Sequence, residues 1–118
     1  MITITNVLIA LVACLHVYFL VLEMFLWDRP TGLRVFRQTE AAARASKVLA
    51  ANQGLYNGFL AAGLVWSLLA GAGGWSIKVF FLCCVVIAGV FGAATVNLRI
   101  LWVQAAPAAL ALGLLLLG

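Results

Sequence analysis

From Ile2 to Trp27 the chain runs about the length of a bilayer with Glu23 as its one formally charged side chain and His16 as its one histidine. A stretch of about 20 mostly apolar residues is what a helix needs to cross the hydrocarbon of a membrane. In water it would have to be covered. A chain of 118 residues, of which 67% are apolar and 8% charged, cannot build a core large enough to cover it, because ordinary soluble domains carry about 25% charged residues. Asp28, Arg29, Pro30 and Gly32 end the run by charge and by backbone chemistry. The run is too long for a cleaved secretory signal, and it lacks a basic leading region, so it is expected to stay attached.

Three more apolar runs follow, over about 48–71, 75–97 and 99–117. The first of them ends in the turn-forming Gly71, Ala72, Gly73, Gly74, and the last contains Pro107, which a membrane helix tolerates when neighbours satisfy the freed carbonyl. The pattern predicts an all-α polytopic membrane protein, a compact bundle of four transmembrane helices over about 2–27, 48–71, 75–97 and 99–117 in a single domain of residues 1–118.

Six of the seven Lys and Arg residues mark one side: Arg29, Arg34, Arg37, Arg44 and Lys47 lie in the first connection and Arg99 in the third, against Lys78 alone in the second. By the positive-inside rule the segment 28–47 is cytoplasmic and both termini lie outside. Within it, Thr39 to Lys47 reads as a polar helical extension of the second span. Thr39 is its cap, and Ala41, Ala42, Ala43 and Ala45 favour helix. Its cations would lie near anionic headgroups, so the lipid bilayer is the expected partner and nucleic acid is not. Cys14, Cys83 and Cys84 lie within spans and are read as small buried hydrophobes. Cys14 and His16 point to nearly opposite sides of one helix, and no carboxylate stands at ligand spacing, so neither metal nor other cofactor is expected.

The informative residues are polar ones placed where lipid should be. Glu23 lies about one turn inside the cytoplasmic end of its helix, at a cost of about 2 to 3 kcal/mol if central and less toward the edge. It needs a partner. Asn52, Gln53, Tyr56 and Asn57 lie at matching depth on the second span, and Asn97 and Gln104 bracket the third connection at comparable levels. His16 sits seven residues from Glu23 on nearly the same face, a rise of about 10 Å that excludes a direct hydrogen bond between them. His16, Glu23, Asn52, Gln53, Tyr56, Asn57, Asn97 and Gln104 therefore form the expected ligand-binding layer, with Trp27, Arg34 and Arg99 as secondary members. Packing glue is the duller reading of the amides, and an interfacial anchor that of Trp27. Gly54, Gly58 and Ala62 form a small-residue row, and Gly89 with Ala93 another. Both permit close helix packing, within one chain or in a homo-oligomer.

The segments HVYFLVLEMFLW (His16 to Trp27) and KVLAANQGLYNGFLAAG (Lys47 to Gly63), with the region from Gly89 to Gln104, resemble the domain-of-unknown-function family 1304 of small bacterial membrane proteins over nearly the whole chain. That resemblance implies four helices in the bacterial inner membrane and carries no activity or catalytic residue with it. Two roles stay open on the residues. One is binding or transport of a small polar or amphiphilic molecule through the polar layer; a carboxylate in the first of four short helices is similar in architecture to the small multidrug resistance family. The other is an intramembrane enzyme on a lipid-like substrate with Glu23 or His16 as acid or base. An accessory subunit whose polar layer only fixes assembly is a third.

Overall fold

The computed structural model describes residues 2–118, with side chains from residue 4 onward. Every regular element among the described residues is helical. Helix α1 spans Ile2–Met24, α2 Pro30–Phe36 and α3 Glu40–Leu69. A 3₁₀ turn, Gly71–Gly74, leads into α4, Trp75–Thr95. A π-helical turn over Leu101–Ala105 then leads into α5, Ala106–Leu117.

No glycine or proline interrupts α1. It stops at Met24, where the N–H of Leu26 bonds to Val21 O at 3.2 Å, one residue further back than the helical pattern allows. Pro30 then holds Arg29 extended and starts α2 as its first residue, a position whose N–H needs no partner. Helix α2 is absent from the sequence reading, which places helix in the 28–47 segment only from Thr39 onward. Its seven residues are too few to show a hydrophobic period. At its end Arg37 takes the left-handed conformation, φ 52°, that usually falls to glycine.

Thr39 caps α3, its Oγ1 accepting the N–H of Ala42 at 3.1 Å. The helix then continues without a break through the polar stretch and the apolar one to Leu69, 30 residues in all. Gly71, at φ +60°, ends it.

The chain divides into two compact units, one of residues up to Leu15 with Leu60–Gly118, the other His16–Phe59. The first has a core of Ile9, Val12, Leu64, Leu82, Val85, Ala108 and Ala111. Its last helix is not the continuous one the sequence suggests. Pro107 has no N–H to give to Val103, and its ring crowds that carbonyl, so the backbone widens just before it. The N–H of Ala106 reaches back to Leu101 O, the five-residue step of a π turn. Gly89 of α4 faces this turn, where an added Cβ would stand 2.7 Å from both Cβ and N of Ala105.

Two helical stretches, Ile4–Met24 and Gly71–Thr95, are long and apolar enough to cross a membrane. Leu101–Leu117 is a shorter apolar helix. Helix α3 is long enough, but Asn52, Gln53 and Asn57 lower the hydropathy of its apolar part.

Candidate functional site

In the His16–Phe59 unit α3 turns Gly54 and Gly58 toward α1. A Cβ on Gly54 would stand 2.6 Å from Met24 Cγ and 3.1 Å from Glu23 Cβ, and one on Gly58 2.8 Å from Leu20 Cδ1. The missing methyls let the two backbones approach, and the approach brings a short side chain within reach of a carboxylate. Asn57, next to Gly58 in sequence and 5% exposed, donates from Nδ2 to Glu23 Oε1. Glu23 itself is half-buried, and its other oxygen accepts no hydrogen bond from the described residues.

Gln53 lies one turn before Asn57 on the same side of α3, and Tyr56 flanks it. Both are uncovered by the chain, Tyr56 making its aromatic contact with Phe59 at 5.8 Å between ring centres. Asn52 is also exposed, and five residues of helix turn it about 140° away from Asn57. His16 is fully buried and meets the edge of Phe19, ring centres 5.3 Å apart. The pair formed directly is thus Glu23 with Asn57, and the amides that accompany it are surface groups of α3.

Beside this pair, the start of α3 is tied to the turn after α1. The Trp27 indole N–H donates to Ser46 Oγ at 3.1 Å, and Ser46 Oγ donates in turn to Ala42 O at 2.8 Å. The Trp27 ring packs on Phe36, 4.7 Å between centres. Lys47 Nζ donates to Asp28 Oδ2 at 3.1 Å, and this bond holds the Asp28 carboxyl below the usual carboxylate range. Arg34 is exposed in the last turn of α2. Trp27 thus has an anchoring partner in Ser46 that the sequence pattern does not reveal, since the two are 19 positions apart.

Asn97, Arg99 and Gln104 belong to the other unit. Asn97 Oδ1 accepts the N–H of Arg99 at 2.8 Å, a turn-forming bond just past the end of α4. Arg99 is exposed and Gln104 half-buried in the π turn. The same unit holds a polar pair that the sequence reading misses: Lys78 Nζ donates to Asn6 Oδ1 at 3.0 Å. Lys78 enters that reading as a topology signal alone, although the rule that singles out Glu23 covers a lysine inside an apolar run equally well.

The sequence model of a family described as protein of unknown function (DUF1304) matches residues 10–116. The uncharacterised protein YpaA of Lactococcus lactis subsp. lactis (strain IL1403) is 32% identical over 110 residues, which cover 92% of each chain. No solved structure matches.

Proposed function

Because the chain belongs to the DUF1304 family, whose description assigns no activity, we propose its role from its own chemistry: it is a four-span inner-membrane protein that binds a small polar or amphiphilic molecule at Glu23 and exchanges it for a proton. The observation that carries this reading is the state of the carboxylate. Glu23 sits in an apolar helix with one oxygen held by a buried amide and the other accepting no hydrogen bond from the described residues. A glutamine would pack there at lower cost, so the charge is read as kept for use.

Four spans fit the helices. Two pass on length and apolar character, and Leu101–Leu117, at about 25 Å, is short by an amount that bilayers accommodate. Helix α3, about 45 Å long, exceeds the hydrocarbon thickness of about 30 Å, so its polar first turns extend beyond the membrane. On this reading Arg44 and Lys47 lie on the cytoplasmic side with Arg29, Arg34 and Arg37, and the termini lie outside. In this setting Asn57 and Gln53 lie within the inner leaflet's edge and offer amides to a polar group, while Glu23 supplies the charge that a ligand amine or a proton neutralises. The two compete for one site, which couples their movements.

Proteoliposomes holding the full chain and a pH-sensitive dye, challenged with a set of polar and lipophilic amines, test this. Amine-dependent proton release that Glu23→Gln abolishes and Glu23→Asp partly retains is the expected result. Undiminished release from Glu23→Gln contradicts the proposal.

A further inference from the structure

A second polar site lies around Lys78, apart from everything assigned to Glu23. Lys78 is 8% exposed, inside the apolar stretch Gly71–Thr95. A lysine near the end of a membrane helix ordinarily extends its ammonium to the surface, and this one donates to Asn6 at the wall of a cleft. The unit that contains it, residues up to Leu15 with Leu60–Gly118, carries two cationic side chains, Lys78 and Arg99, and no acidic one. The three acidic residues of the sequence lie in the other unit, with Asp28 on Lys47, Glu40 on Arg44 and Glu23 on Asn57. Among the described residues Lys78 makes no ion pair, and its polar contact is the carbonyl oxygen of Asn6.

That contact orients both groups. By giving Oδ1 to Lys78, Asn6 leaves its NH₂ without a partner among the described residues, and the ammonium keeps two of its three N–H donors. Both groups line a half-open cleft of about 960 Å³, whose other walls include Thr5, Leu68, Trp75 and Leu114. A buried positive charge and an amide donor at one point of a largely apolar cleft match an oxyanion carried on a hydrocarbon chain: the anion meets the donors and the chain lies along the leucines. A neutral amphiphile would leave the ammonium unpaired, and a free anion would leave the apolar walls wet.

We propose that Lys78 and Asn6 form a binding site for the anionic head of a single-chain amphiphile, a phosphate or a carboxylate, whose tail occupies the cleft between α1, α4 and α5.

The sequence holds two lysines, Lys47 and Lys78, so lysine carrying ¹³C at Cε reports the site and an exposed control in one spectrum. The full chain in phosphatidylcholine nanodiscs is titrated with dodecyl phosphate, and separately with inorganic phosphate and the neutral dodecyl maltoside. The Lys78 signal should shift saturably with dodecyl phosphate while that of Lys47 does not. Inorganic phosphate and dodecyl maltoside should leave Lys78 unmoved, and Asn6→Leu should weaken dodecyl phosphate binding about tenfold. Parallel shifts of both lysines, or no shift at Lys78, overturn the site. Equal response to inorganic phosphate overturns the amphiphile, and unchanged affinity in Asn6→Leu removes Asn6 from it. None of these outcomes depends on Glu23.

Discussion

Asn57 is the residue on which the Glu23 carboxylate depends. Its removal leaves a half-buried acid without the one side-chain donor it has among the described residues, and such a loss costs about 1–3 kcal/mol. Asn57→Leu should therefore lower the stability of the purified protein by that amount in denaturant unfolding, whereas Glu23→Gln, which keeps an oxygen for Asn57 to bond, should change it by less than about 1 kcal/mol. Equal destabilisation by both would mean that the pair is not the contact that matters. Asp28 has a different signature, because Lys47 lowers its pKa in the fold. The contribution of that pair is present above the unfolded value of about pH 4 and is lost as pH falls through the lower folded value. Wild type and Lys47→Met should accordingly differ in melting temperature at pH 7 and converge as the pH falls through the folded value. That Glu23 needs a partner is legible in the sequence from cost alone. Which of four polar residues on α3 supplies it is not, because the answer rests on how α3 is rotated. Gly54 and Gly58 contain that information only once it is known that they face α1 and not a second copy.

The helices follow from composition with two exceptions, both made by proline. Pro30 creates α2 out of a stretch that carries no period, and Pro107 widens the backbone before α5. The apolar runs locate α1, α4 and the apolar part of α3 because nothing within them competes with helix. They do not by themselves locate ends, which depend on single residues: Thr39, the expected cap, does start α3 by accepting the N–H of Ala42. Replacing Thr39 with Ala should cost about 1 kcal/mol and speed hydrogen exchange in the first turn of α3, with the rest of the helix unaffected. The row of Gly89 and Ala93 announces a close approach on α4, and the structure shows that the π turn is what Gly89 meets. Gly89→Ala pushes a methyl against backbone that cannot yield, and a loss of about 1–3 kcal/mol in unfolding experiments is expected. Gly54→Ala meets chiefly the flexible Met24 side chain and should cost less. A reversed order would show that the helices are packed differently.

At the scale of the whole molecule, the proposed function takes its topology from the cations and its chemistry from the polar residues within the proposed spans. Cysteine labelling from either side of right-side-out vesicles should find residues of the 28–47 segment accessible from the cytoplasm and Gly73 from the exterior. The expectation rests on seven Lys and Arg alone, since orientation depends on where charges sit and not on how helices pack, and the labelling is its test. The role of Lys78 is hidden for the same reason: counted as a charge it reports topology, and only packing shows that it is buried beside Asn6. In the proposed function a ligand is held at the Glu23 oxygen that accepts no hydrogen bond from the described residues. Native mass spectrometry of the full chain, released from membranes in parallel with Glu23→Gln, reads it directly. A stoichiometric small polar or amphiphilic species on the wild type that is missing from Glu23→Gln is the predicted result; the same species at the same occupancy on both proteins would contradict it.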